Sequence, residues 1–315
     1  MQTQYLNTSP EQSSVTSIDR DALQRVCLPI DHQQKQLATT HLSFEQYSQY
    51  ISVEKSEGKN EQGETSCDFT FKINYSELAN QIDRLVTASN YSTFTLLGPV
   101  SYLYLLQQNL LNTTDSATEL VTESLSQLLS LYNTIFTVLN NLTIEKVQLD
   151  EPILALPLNQ TWENAFRSSY QNINKNNLTV LLGASFNAIS EKVVLINNLN
   201  FDGVHLESFT DYAEVESLIN ALPDNWTISL GLIDSSRSYP TDLFLIYQKL
   251  LPLYKKLAKR LWLNLSGKLL PAKSPLNTSN KFELVKQKYE EISLLNRALT
   301  IENTFDITVY SDAAC

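Results

Sequence analysis

The chain has 315 residues, 43% of them hydrophobic, 18% charged, with a formal charge of −11. That is enough apolar material for one large core or two small ones, while the negative balance disfavours a nucleic-acid partner, which needs clustered Lys and Arg. The longest apolar runs, at 178–183 and 193–196, fall far short of the roughly 20 residues of a membrane span, three scattered cysteines (Cys27, Cys67, Cys315) make neither a disulfide framework nor a Cys-x-x-Cys site, and the seven glycines build no phosphate loop. With a polar N-terminus and no apolar signal core, the expectation is a soluble, unprocessed, cytoplasmic protein.

Residues 1–66 are rich in Gln, Ser, Thr and Glu and end in a polar run over 54–66, so they read as a polar, partly disordered N-terminal segment. Order is expected from near Phe69. Short apolar runs then alternate with helical patterns, and strands are predicted at 93–98, 146–149, 178–183, 203–206, 227–232 and 260–264. A helical face is formed by Leu243, Ile246, Tyr247, Leu250, Tyr254 and Leu257, with Pro252 expected to kink or split the helix. Phe282, Val285, Tyr289, Ile292, Leu295 and Leu299 mark another helix. The reading is one domain over 67–300 and a C-terminal tail over 301–315.

Strand–helix units at 25 to 50 residue intervals imply an α/β fold with a parallel sheet, either doubly wound or a closed (β/α)8 barrel. Most strands finish in a small or polar residue, and carboxyl ends carry function in parallel α/β folds. A TIM-like barrel with those residues around its mouth is the favoured form.

Candidate site residues follow from the strand ends. Asp150 and Glu151 are adjacent on a strand, so their side chains point oppositely and cannot form an acid–base pair with each other. One is expected at the mouth, the other capping a helix or pairing with a cation. His205 is expected inside the sheet with its imidazole hydrogen-bonded, and Asp234 with Arg237 in a turn after a strand, where a loop salt bridge is the plain alternative to a ligand contact. Trp162, Trp226 and Trp262 read as packing residues. Residues 251–300 carry ten basic groups against three acids, a local +7. They read as solvated helix faces or as an anion-binding surface that includes Lys268 and Lys273.

A family resemblance is carried by a collinear series of motifs from about Phe69 to Leu299. The runs Leu96-Leu97-Gly98-Pro99-Val100-Ser101-Tyr102 and Val147-Gln148-Leu149-Asp150-Glu151-Pro152, then Gly203-Val204-His205-Leu206-Glu207, Leu230-Gly231-Leu232-Ile233-Asp234 and Leu261-Trp262-Leu263, resemble strands of the N-terminal barrel of cobalamin-independent methionine synthase. The resemblance implies a role in methyl transfer from a polyglutamylated methyltetrahydrofolate to homocysteine. In that family the zinc is held by His, Cys, Glu and Cys in a second, C-terminal barrel. No His-x-Cys occurs in this sequence, so no metal or other cofactor is expected on this chain, and none of its residues is assigned a catalytic role. The family's Phe-Pro-Arg and Arg-Glu-Leu-Lys segments are absent; the resemblance makes Leu28-Pro29-Ile30 the second strand, which leaves the first strand atypical or missing unless residues 1–20 or 307–310 supply it. Gly267 and Pro271 stand where the family usually has Cys and His.

Two readings of function follow. In one, the chain is a non-catalytic subunit whose mouth docks onto a zinc-barrel protein, or onto another copy of itself, with polyglutamylated folate as a ligand. In the other, it is a stand-alone binding or regulatory module that has lost folate binding. A self-sufficient hydrolase or transferase on the barrel mouth is the weakest reading, because no nucleophile–base pair is visible in the sequence.

Overall fold

A computed structural model describes residues 51–59, 65–88, 93–111, 118–142, 144–207, 211–234, 239–266 and 278–301. Expectations placed on Leu28-Pro29-Ile30, Cys27, Cys315, Arg237, Gly267, Lys268, Pro271 and Lys273 lie outside them.

The order begins earlier than Phe69. Strands β1 (Ile51–Lys59) and β2 (Thr65–Ile73) form an antiparallel hairpin in unbroken register from Ile51↔Ile73 to Lys59↔Thr65. The polar composition of 54–66 hid it because a hairpin needs only one apolar face. That face consists of Ile51, Phe69 and Phe71, all buried, while Glu54 and Lys72 pair at 2.8 Å on the exposed side. Phe71 meets the Tyr102 ring edge-on, and the Tyr102 hydroxyl donates to the Ile51 carbonyl at 2.9 Å.

After α1 (Tyr75–Ala88), six strands alternate with helices: β3 (Thr93–Leu97), α2 (Pro99–Leu111), α3 (Thr118–Asn141), β4 (Lys146–Asp150), α4 (Gln160–Asn172), β5 (Thr179–Ser185), α5 (Phe186–Glu191), α6 (Val193–Ile196), β6 (Gly203–Glu207), α7 (Tyr212–Ala221), β7 (Thr227–Asp234), α8 (Leu243–Leu257), β8 (Leu261–Ser266) and α9 (Thr278–Ile301). All six predicted strands are present, most of them one or two residues longer than expected at the carboxyl end. Helix starts follow local chemistry, with Asn159, Ser185, Asp211 and Asp242 each accepting a backbone N–H from the first turn. Pro252 does not split α8, which runs unbroken through it. The ring sits on an exposed side of the helix, where its missing N–H leaves only the Gln248 carbonyl to be satisfied by solvent.

The sheet decides between the two α/β forms. Its strands are parallel and lie in the order β3-β4-β5-β6-β7-β8, each beside its neighbour in sequence. A doubly wound sheet reverses direction at a switch point. Here every crossover leads to the next strand on the same side, and with the right-handed connection that parallel strands favour the helices collect on one face and the sheet curls, as in a barrel. Val147, Leu149, Val180, Leu182, Val204, Leu206, Ile228 and Leu230 on the helix-facing side are all buried, and they join Leu103, Leu128, Ile135, Phe166 and Leu250 in one core. The curl brings distant strands together: the Lys146 ammonium, at the start of β4, lies 4.3 Å from the centre of the Trp262 ring on β8.

Candidate functional site at the strand ends

Alternate residues of β3–β8 face the inside of the curl. One registered row crosses the whole sheet: Leu97, Asp150, Gly183, His205, Ser229, Trp262. Most of its members are polar or small, in contrast to the apolar face behind it.

Asp150 and Glu151 separate as strand geometry requires. Asp150 is buried on the inner face, where Gln148 Nε2 donates to Oδ1 at 2.7 Å. Its carboxylate leans over Gly183, whose missing side chain makes the room: a Cβ there would come within 2.0 Å of Oδ1. Glu151 points the other way, fully buried among helices, and accepts the backbone N–H groups of Val100 at 3.2 Å and Ser101 at 2.8 Å. It thereby caps α2, whose positive end suits a carboxylate. The Tyr170 hydroxyl donates to it as well. Burial pushes the Glu151 carboxyl up from the usual range to about 7, although the hydrogen bonds from Ser101, Tyr170 and Val100 oppose the rise. Beside it, burial and the Glu151 charge hold the Tyr170 and Tyr132 phenols well above their ordinary value.

His205 occupies the middle of β6 and is buried. Nδ1 lies 2.9 Å from Ser229 Oγ and Nε2 lies 3.1 Å from Glu207 Oε1. With Glu207 ionised, Nε2–H donates to it and the Ser229 hydroxyl donates to Nδ1. This hydroxyl–imidazole–carboxylate chain ties β6 to β7 on the inner face, with Ser229 mid-strand and itself buried. Glu207, Ser229 and Gln148 were outside the predicted site. The period of two offers the missed signal, since Glu207 shares a face with His205 and Gln148 with Asp150.

Asp234 ends β7, half-buried. Counting alternate residues from Ser229 would put it on the helix-facing side. A β-bulge between Gly231 and Ile233 inverts that parity: Gly231 pairs with Asn264, but Ile233 pairs with Leu265 and Asp234 with Ser266. Ile233 is thereby buried in the core and Asp234 joins the inner face. The carboxyl ends of β4, β6 and β7 thus present Asp150, Glu207 and Asp234, three acids at one end of the sheet. Of the tryptophans, Trp162 and Trp226 are buried as packing residues, whereas Trp262 is half-buried on the inner face beneath Lys146.

Residues 62–262 match the family model described as the cobalamin-independent synthase, N-terminal domain. The chain belongs to this family. It is 32% identical over 244 residues to the 5-methyltetrahydropteroyltriglutamate–homocysteine methyltransferase of Vibrio cholerae, and 33% identical over 250 residues to that of Blochmanniella pennsylvanica. These alignments cover 75% and 77% of this chain but only 31% of each relative, so the chain spans about a third of their length. The fold is similar to a solved B12-independent methionine synthase from Shewanella sp. W3-18-1, with a TM-score of 0.54 at 11% identity, covering 81% of this chain and 80% of that one.

The described residues of this cobalamin-independent synthase domain do not fit the thiolate-bound zinc that the family resemblance assigns to a second barrel. Strands β3–β8 carry no cysteine, and both ring nitrogens of His205 are engaged by Ser229 and Glu207. Among the described residues, no group of three or more His, Cys, Asp or Glu side chains is arranged to hold a metal ion. No helix among them is long and apolar enough to cross a membrane.

Proposed function

We propose that this domain serves methionine biosynthesis as the barrel facing a zinc-bearing barrel, and that it takes part in methyl transfer from a polyglutamylated methyltetrahydrofolate to homocysteine without itself activating the thiol. The observation that carries the reading is the family match over 62–262, which spans the strands that present Asp150, Glu207 and Asp234 at one end of the sheet. The zinc barrel is supplied either by the same longer polypeptide or by a separate protein.

The parts have separable roles in this reading. Asp150 and Glu207 are acceptors held rigidly from below, by Gln148 and His205, and suit N–H donors of a bound ring system. Arg237, Lys268 and Lys273 follow β7 and β8 in sequence and supply positive charge for a polyanionic glutamate tail or for the partner's rim. Glu151 acts as the structural clamp that holds the start of α2 against the end of β4.

The test is reconstitution. The chain is mixed with the zinc-bearing C-terminal barrel of a relative, methyltetrahydropteroyltriglutamate and homocysteine, and methionine is measured. Methionine should form in the mixture and in neither component alone, with the rate falling as salt screens the contact. Turnover by this chain alone would overturn the division of labour. Failure of the mixture, together with no binding of the triglutamate, would favour a stand-alone module that has lost folate.

A further inference from the structure

The open side of the curled sheet holds a cavity that reaches Ser229 and Trp262 of the inner-face row but none of the three acids at the strand ends. It has a volume of about 260 Å³ and lies where the first residues of β3 and β4, Thr93 and Lys146, approach β8 and α9. Ser229, Trp262 and Asn264 line it, with Leu261, Leu263 and Ile292 among its apolar walls. Lys146 is the only charged residue of the lining among the described residues. Lys72, Lys175, Lys256 and Lys288 each have a carboxylate within 3.1 Å. Among the described residues Lys146 has none. Its half-buried ammonium rests on the face of Trp262 instead.

We infer that this cavity binds a small organic monocarboxylate with a flat apolar body. A half-buried cation without a counter-ion among the described residues is the strongest electrostatic demand of this lining, and a carboxylate meets it through a charge-assisted hydrogen bond. A single positive charge matches a monoanion better than a phosphate dianion. The Thr93 hydroxyl and the Asn264 amide are neutral groups that can complete the polar contacts, while Trp262 and the aliphatic wall cover a planar body. The volume lies just below the usual range of ligand pockets, which limits the guest to about a dozen heavy atoms. Ser229 and Trp262 belong also to the inner-face row, but Asp150, Glu207 and Asp234 do not line the cavity, and its test reads binding rather than turnover, so its failure is distinguishable from failure of the methyl-transfer role.

Benzoate is the probe, titrated calorimetrically into the full chain, with benzamide as its neutral isostere and inorganic phosphate as the competing anion. Benzoate should bind saturably at millimolar concentration, with benzamide and phosphate each at least about tenfold weaker. Lys146→Met keeps the aliphatic stem and should weaken benzoate at least about tenfold, whereas Lys146→Arg should retain it. Equal binding of benzamide, tighter binding of phosphate, or no saturation would overturn the inference, as would full benzoate affinity in a folded Lys146→Met. The benzoate–benzamide comparison on the unaltered chain decides the matter even if Lys146→Met does not fold.

Discussion

The Glu151 carboxylate occupies the space that a side chain on Gly98 would need. A Cβ built on Gly98 would fall 2.1 Å from Glu151 Oε1 and 2.2 Å from its carboxyl carbon. The Gly98 N–H also donates to the Asp150 carbonyl at 2.7 Å, so backbone and side chain fasten the end of β3 to the end of β4 at one point. Gly98→Ala should therefore cost about 2–4 kcal/mol, because neither the backbone nor a carboxylate fixed by two N–H groups can move aside. Urea denaturation of the two proteins measures it.

Glu151 also predicts a pH dependence. Its folded carboxyl titrates at about 7 against an ordinary 4.5, so between those values the folded chain holds a proton that the unfolded chain has released. The contribution is fully present below about pH 4.5 and is lost as pH rises to about 7, amounting to up to about 3 kcal/mol. Glu151→Gln should flatten that part of the stability–pH profile. An unchanged slope in the variant would show that the carboxyl is not the group responsible.

Gly183→Ala tests the inner face. The added Cβ would lie 2.0 Å from Asp150 Oδ1 and 2.9 Å from Gln148 Nε2, so the carboxylate must swing away and lose its amide donor. A loss of about 1–3 kcal/mol is expected. In the reconstituted reaction, activity should fall at least about tenfold even under conditions where the variant remains folded.

Lys288 and Glu291 form a fully buried pair on α9, 3.1 Å apart, with Thr241 donating to Glu291 and Lys288 donating to the Tyr239 carbonyl. The pair ties α9 to the segment after β7. Lys288→Met strands a buried carboxylate and should cost about 3–5 kcal/mol, whereas Lys288→Met combined with Glu291→Leu should recover most of that. A double-mutant cycle in thermal unfolding gives the comparison.

The six strands and their order of appearance were legible because each is a run of buried Val, Leu and Ile bounded by polar or glycine residues, a local signal that survives without knowledge of neighbours. The opposite aims of Asp150 and Glu151 follow from the same pleat. The pairing of Ile51–Lys59 with Thr65–Ile73 was not legible, since only one face of the two strands is apolar and each strand is revealed only by its partner. His205 was readable as an inward histidine, but its engagement by Ser229 from the next strand depends on the register between β6 and β7, which no single segment encodes.

By itself, then, the amino-acid sequence determined the alternation of strands and helices, the parallel α/β class and the family, because these rest on local periodicity and on motifs in collinear order. Tertiary structure alone decided that the strands lie in sequential order and curl, and that Glu151 spends its charge on the start of α2. It also decided that Lys146 reaches Trp262 from four strands away. Asp234 is the sharpest case. Its alternation in the sequence points it into the core, and one bulged residue opposite β8 turns it to the inner face, because strand parity is counted from the hydrogen-bond ladder and not from the chain.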